Sequence, residues 1–416
     1  MTPKHYALGT REPSEIQRPE SIEALAESLA ACDRAGRAVV LFGGRTLQGL
    51  GHVPERYDVA IDCTRLSRVL EHDPRDLTIG LEAGCSIAAL DATLAASGQF
   101  VPLDAPRAAA ATIGGTLAAG WLGPRRAAYG KPRDLVIGTT VVLADGTIAK
   151  AGGMVVKNVT GYDLSKLYIG SLGTLGAIVR ANFKTLPLPA ARRLAVAALP
   201  EGTRARAIGR LETLGIEPVA ALVVNGFAKT IDGEDGADGR LLVLFEGSER
   251  SVEAATRELR AVIGAAGVPA TRLIDRETAA SFARVLDAYI EPLGNRSMTY
   301  RSYGRPSDTT PRLDAFARVA HGAKLGLETI EDVRTGDVIA RLSARTVADF
   351  ASRAHAFDGD RRTALSGARV IVAPQALREL LDAWGAPPAA LPTMRALKER
   401  FDPAGTLAPG RFVGRI

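Results

Sequence analysis

At 416 residues the chain is too long for one ordinary domain, and two is the natural expectation. Its 46% hydrophobic and 24% charged residues are those of a globular protein and exclude a disordered or fibrous one. The net charge of +6 is scattered, with no Lys/Arg run, which argues against a nucleic-acid-binding role. Cys32, Cys63 and Cys85 show no CxxC spacing, so neither a zinc site nor an iron–sulfur cluster is expected in this chain. The sparse, odd cysteine count fits reduced thiols in the cytoplasm. No apolar core follows the N-terminus MTPKHYALGTREPSE, so no signal peptide is expected. The longest uncharged apolar run, Ala108 to Pro124, is glycine-rich and shorter than the roughly 20 residues of a membrane-spanning helix.

In chain order, Ser21 is the N-cap of a first helix in which Ile22, Leu25, Ala26 and Leu29 recur at helical spacing. Val39 to Phe42 reads as a short buried strand, followed at once by Gly43-Gly44-Arg45-Thr46-Leu47-Gln48-Gly49. Taken alone, such a loop is more often a tight turn than an anion cradle. Val59 to Asp62 and Thr78 to Glu82 are two further strands, and Asp73-Pro74-Arg75-Asp76 supplies turn chemistry between them. Ser86 caps a helix from Ile87 to about Ala96, which Gly98 stops. The glycine-dense stretch Ala111 to Pro187 follows, with a strand from Leu135 to Leu143, the turn Asp145-Gly146 and a strand beginning at Ala177. A domain boundary falls near Leu186-Pro187-Leu188-Pro189. Beyond it, strands are expected at Ala220 to Asn225, Arg240 to Phe245 and Val338 to Leu342, with helices at Ser251 to Ile263 and Ala344 to His355. That pattern suggests a small α+β unit with an antiparallel sheet. Asp232 to Gly239 is an exposed turn-rich loop without the spacing of a calcium-binding loop.

Four segments carry a family likeness: Ala111-Thr112-Ile113-Gly114-Gly115, Gly123-Pro124-Arg125-Arg126, Lys157-Asn158-Val159 with Gly161-Tyr162-Asp163-Leu164, and Gly173-Thr174-Leu175-Gly176. In order and spacing they resemble the FAD-binding domain of the vanillyl-alcohol oxidase / p-cresol methylhydroxylase superfamily, and within it the E-type FAD-binding subunits of bacterial glycolate oxidases. The resemblance runs through residues 18–190 and returns in Met394 to Phe412. There Asp402-Pro403 and Pro409-Gly410-Arg411 match, while Ala408 stands where Asn is usual. The glycine run at 170–176 is not a Rossmann fingerprint, because it precedes its strand instead of following it.

The resemblance implies an α+β architecture. A two-part p-cresol methylhydroxylase-type FAD-binding domain would occupy 1–190, a smaller α+β cap with an antiparallel sheet 191–385, and a segment returning to the flavin domain 386–416. It reads the 43–49 loop as a pyrophosphate cradle, with Gly43, Gly44, Arg45, Thr46, Leu47 and Gln48 as cofactor-binding residues. A helix starting at Thr112 would bring its N–H groups near the diphosphate or ribityl chain, with Gly114, Gly115, Ala118 and Gly120 letting the flavin lie close. Tyr129, Gly130 and Asp134, then Gly173, Thr174, Gly176 and Ile178, complete the set, and the Ile178 main chain is expected at the adenine half. Lys157, Asn158, Tyr162 and Asp163 either orient the isoalloxazine or hold their loop. Some relatives attach the flavin to a His in or near the first loop. None lies between Gly43 and Leu50, and His52 falls just beyond, so non-covalent FAD is expected.

No catalytic residue is nominated. Related 2-hydroxy-acid dehydrogenases carry an HxGDGNxH motif in the cap, whereas His321 and His355 here lie outside any such motif. Arg301 and Arg305, beside Tyr300 and Tyr303, are candidate carboxylate ligands. The resemblance thus implies an FAD-dependent oxidoreductase working as one subunit of a glycolate oxidase-like complex. Its partners would be a larger flavoprotein subunit and an iron–sulfur subunit, and its substrate class small 2-hydroxy acids. It would be cytoplasmic or held at the inner membrane through those partners. A stand-alone FAD-dependent oxidase and a non-catalytic flavin-domain scaffold are the alternatives.

Overall fold

The computed structural model describes residues 2–155, 162–227, 239–269, 272–274 and 277–416. Lys157, Asn158, Val159 and Gly161, and residues 232–238 of the turn-rich loop, lie outside them. The chain forms two compact units. The first comprises Met1–Leu122, Lys131–Leu188 and Pro374–Ile416; the second comprises Gly123–Gly130 and Pro189–Ala373.

The first unit contains two main sheets. A parallel sheet has the order β1-β3-β2, from β1 (Glu15–Gln17), β2 (Val39–Phe42) and β3 (Val59–Asp62). An antiparallel sheet has the order β4-β5-β9-β7-β8, from β4 (Val69–Asp73), β5 (Thr78–Glu82), β7 (Val136–Val142), β8 (Ile148–Gly152) and β9 (Ala177–Lys184). Short β6 (Gln99–Phe100) and β10 (Leu186–Pro187) pair with each other. Helix α1 (Ile22–Arg34) is capped as expected, Ser21 accepting from the Ala24 N–H at 3.0 Å. It buries Leu25, Ala26, Leu29 and Cys32, a spacing of three and four that keeps them on one face. Strand β9 is buried at six of its eight positions because two cores use it. Ala177 and Val179 join Leu25 and Leu29, whereas Ile178, Ala181 and Phe183 join Ile87, Leu90, Ile113 and Leu117. Those last four come from α2 (Ile87–Ala95) and α3 (Ile113–Ala119).

The returning segment is wired into this unit. Val39 N–H donates to Thr406 O at 2.7 Å and Ala408 N–H to Val39 O at 2.8 Å, extending the parallel sheet. From the C-terminal helix Leu391–Phe401, buried Lys398 donates its ammonium to Thr174 O, Leu407 O and Asp402 Oδ2.

The second unit is an eight-stranded antiparallel sheet of order β14-β11-β13-β12-β16-β17-β15-β18. Its strands are β11 (Ala191–Leu199), β12 (Ala220–Asn225), β13 (Gly239–Gly247), β14 (Arg272–Ile274), β15 (Ser297–Ser302), β16 (Gly326–Asp332), β17 (Val338–Ser343) and β18 (Ala368–Val372). Helices α4 (Arg204–Leu211), α5 (Glu249–Gly264), α6 (Thr278–Ala288), α7 (Thr309–Gly322) and α8 (Val347–Ala364) accompany it. The α+β class with an antiparallel sheet is as expected, but the sheet is larger than the three strands read from sequence. Strand β15, SMTYRS, shows why. All six positions are buried, and the charged Arg301 is held by an ion pair instead of being turned to solvent, so no hydrophobic alternation marks the strand. The helix expected at 344–355 starts at Val347 instead, where Thr346 caps it by accepting from the Asp349 N–H.

Candidate functional site

A cleft opens in the first unit where the glycine-rich segments converge. Gly43, Gly44, Arg45, Thr46, Leu47 and Gln48 form one wall, Thr112, Gly114, Gly115 and Ala118 another, and Gly173, Gly176 and Ile178 a third. The reason for glycine is direct contact between two walls. A Cβ on Gly43 would run into the Thr112 hydroxyl, and one on Gly44 into the main-chain carbonyl oxygen of Ala110. Arg45 adopts a left-handed conformation with φ of 60°, the kind of residue from which main-chain anion nests are built. Among the described residues, the N–H groups of Gly44, Thr46 and Leu47 make no main-chain hydrogen bond.

The second wall differs from expectation. Thr112 is the N-cap of α3, but the first N–H groups of that helix are already used. Ile113 N–H donates to Cys85 O at 2.9 Å, Gly114 N–H to Ala83 O at 2.7 Å, and Gly115 N–H to the Thr112 hydroxyl at 3.2 Å. The helix start therefore offers a smooth small-residue surface, and it is the 43–48 loop that presents donors.

Five expected residues do not line the cleft. Gly120, with φ of 58°, ends α3, and a Cβ there would lie 2.8 Å from the Gly170 Cα. Thr174 is buried, its hydroxyl donating to Ser171 O and its carbonyl accepting from Lys398. Tyr129 and Gly130 fold with the second unit, where the Tyr129 hydroxyl donates to Glu246 at 2.6 Å. Burial, reinforced by that carboxylate, pushes the phenol pKa up. Asp134 is exposed and accepts from the Lys131 N–H at 3.0 Å, capping a single helical turn. Tyr162 is 93% exposed.

Sequence reasoning missed three kinds of wall residue: apolar spacers such as Phe42, Ala83 and Leu172; Cys63; and Arg411. Burial, then the charge of Asp62, raises the Cys63 thiol to about 12, so it is no nucleophile at neutral pH. Arg411 was visible within the Pro409-Gly410-Arg411 match but not as a wall of the site. The arginine expected to hold a carboxylate is otherwise engaged. Arg301 is buried and donates from Nε and Nη2 to Asp337 at 3.2 and 2.7 Å, while Arg305 is exposed. His321 and His355 are both exposed.

His52 lies outside the cleft wall, 5% exposed, with Nε2 3.8 Å from Asp382 Oδ1. Burial, helped by the charges of Arg415, Arg378 and Arg411, lowers its pKa to about 4. In the unfolded chain it titrates near about 6.5. Between these values the unfolded chain takes up a proton that the folded chain refuses, so stability falls as pH drops through that window. From about pH 7.5 to about pH 5 this ring removes about 2 kcal/mol. Asp332, raised to about 6 chiefly by burial, acts in the opposite sense over part of the window. The clean readout is therefore wild type against His52→Asn in urea unfolding, the difference changing by about 2 kcal/mol across that range. A difference independent of pH would remove the assignment.

The sequence profile of the FAD binding domain family matches residues 13–163. The structure is similar to p-cresol methylhydroxylase with substrate bound, at a TM-score of 0.73 and 16% identity, covering 95% of this chain and 88% of that one. The fold is therefore that of the p-cresol methylhydroxylase-type FAD-binding proteins, and the chain is related to FAD-dependent 2-hydroxy-acid oxidoreductases. Over 382 residues it is 28% identical to glycolate oxidase subunit GlcE of Escherichia coli strain K12, covering 91% of this chain and 93% of that one. It is also 31% identical over 196 residues to glycolate oxidase subunit GlcD of Bacillus subtilis strain 168, spanning 47% of this chain but only 41% of that protein. Among the described residues no helix is long and apolar enough to cross a membrane.

Proposed function

We propose that the chain holds FAD non-covalently in this cleft and serves as the flavin-carrying subunit of a complex oxidising a small 2-hydroxy acid. A larger flavoprotein subunit and an iron–sulfur subunit are its partners, and any association with the inner membrane runs through them. The observation that carries the reading is the convergence of Gly43–Gln48, Thr112–Ala118 and Gly173–Ile178 on one cleft with main-chain donors on one wall. Those donors suit the diphosphate, and the small residues of α3 suit a flat group laid against backbone. When bound, the isoalloxazine supplies hydride and electron transfer. The protein's own residues bind and orient it. Gly44, Thr46 and Leu47 direct N–H groups, Thr112 fixes the second wall, and Gly114 and Gly115 allow close approach.

Two further observations favour a non-covalent, subunit role. His52 is packed against Asp382, away from the cleft wall. The described lining also contains no His, Asp or Glu that could take a substrate proton. Acid precipitation of the purified protein is expected to leave the flavin absorbance in the supernatant, and anaerobic glycolate is expected to leave the isolated chain's flavin oxidised. Flavin in the pellet would overturn the non-covalent assignment. Bleaching of the isolated chain would replace the subunit reading with a stand-alone dehydrogenase. A colourless protein that takes up no FAD would remove the flavin function altogether.

A further inference from the structure

Among the described residues, one charge in the cleft has no carboxylate partner. Arg411 is 2% exposed and lines the cleft, and its guanidinium meets only neutral acceptors. Nη2 donates to the main-chain oxygen and the side-chain Oε1 of Gln48, each at 3.0 Å, and Nη1 to His52 O at 3.4 Å. Half-buried Arg378 converges on the same loop, donating to Gln48 O at 3.2 Å, Gly49 O at 2.7 Å and Gly51 O at 3.1 Å. Among the described residues neither arginine forms an ion pair with a carboxylate of the chain. Burial, and for Arg411 the repulsion of Arg378, lowers them to about 9 and about 10 respectively. Two like charges gathered in a dry place without an anion are unfavourable, and the arrangement is relieved when a ligand brings the anion.

We propose that Arg411 and Arg378 form a clamp that supplies the counter-charge for a diphosphate ester in the cleft. The same contacts gather the carbonyls of Gln48, Gly49, Gly51 and His52 on the guanidinium side, leaving the N–H edge of residues 44–47 for the ligand. The inference deepens the flavin reading and rests on it for the ligand's identity, but its chemistry concerns only the diphosphate. It makes Arg411 and Arg378 positioning and charge-supplying residues of the tail, and it predicts selectivity for a diphosphate over an uncharged nucleoside.

The test measures dissociation constants of FAD, ADP and adenosine with flavin-free protein by calorimetry and competition. Arg411→Met is expected to weaken FAD and ADP by a similar factor of about tenfold or more, with adenosine unchanged. Arg411→Lys should recover part of the loss, and circular dichroism reports whether each variant is folded. Arg378→Gln, at the less buried member, is expected to act in the same direction and decides the matter if Arg411→Met does not fold. An equal loss for ADP and adenosine would reduce both arginines to loop supports and overturn the clamp, as would unchanged ADP affinity. Wild type that binds ADP through Arg411 but refuses FAD would sink the flavin reading and leave the clamp. FAD binding with ADP indifferent to Arg411 would do the reverse, and binding of neither would sink both.

Discussion

Gly44→Ala is expected to yield a protein without bound flavin, unfolding at least about 3 kcal/mol more easily than wild type in its first unit. The added methyl falls on the carbonyl oxygen of Ala110, which is main chain and has no rotamer to move into. Ala110 itself is fixed, its N–H donating to Arg107 O at 2.8 Å, and the next residues carry Thr112 onto Gly43. The loop must therefore lift away from the α3 wall, widening the cleft and re-aiming the N–H groups of Gly44, Thr46 and Leu47. Gly209→Ala is the matched control. It lies inside α4 with nothing within 4 Å of the added methyl, so it should stabilise by about 0.5–1 kcal/mol. Flavin content by absorbance and urea unfolding of both variants are the measurements. A Gly44→Ala protein that is yellow and melts like wild type would refute the close-contact argument.

Asp337→Asn is expected to lower the stability of the second unit by about 3–5 kcal/mol. Asp337 is buried and serves two guanidiniums, that of buried Arg301 and that of half-buried Arg126. Arg301 approaches its Oδ2 at 2.7 Å, and Arg126 its Oδ1 at 2.8 Å. The amide keeps the shape but removes a buried charge shared by both guanidiniums, and two largely desolvated cations lose that partner. Burial lowers the Arg301 pKa while Tyr303 and then Asp337 raise it, with the net direction upward, so the residue stays charged instead of escaping by deprotonation. Removing one guanidinium as well, in Asp337→Asn/Arg301→Met, should restore a substantial part of the loss, since the cost lies in the unpaired charge and not in the missing contact. Denaturant unfolding of the three proteins separates the cases. A single variant within about 1 kcal/mol of wild type would mean that water reaches the pair.

The parts of the site that sequence reading reached are those with a local cause. Gly43 and Gly44 directly follow an apolar strand and Gly173 and Gly176 precede one, a pattern that alone reads as tight turns, and the family likeness of these contiguous segments is what marked them as cofactor-binding. The parts it did not reach depend on distant partners. Tyr129 and Gly130 sit between two cleft-forming segments in sequence, yet Arg125 and Tyr129 reach Glu246 and Arg126 reaches Asp337. Arg411 faces Gln48 across most of the chain's length. In the second unit the strands that escaped notice hold charges indoors. Glu331 on β16 is buried and pairs with Arg204, and Arg301 on β15 pairs with Asp337. Alternation of polar and apolar residues marks a strand only where one face meets water, and these meet ion pairs instead.

The outer edge of β2 is completed by Thr406–Ala408, and Lys398 ties Thr174 to Leu407. On the ribosome, residues 39–48 emerge early and residues 398–411 follow only after the entire eight-stranded sheet. The first unit thus begins its synthesis ahead of the second but finishes after it. Throughout that interval β2 carries an open backbone edge and the glycine loop lacks its two arginines. Nascent chains are consequently expected to acquire cofactor late, and a chain arrested after Ala373 would hold a finished second unit beside an aggregation-prone first one.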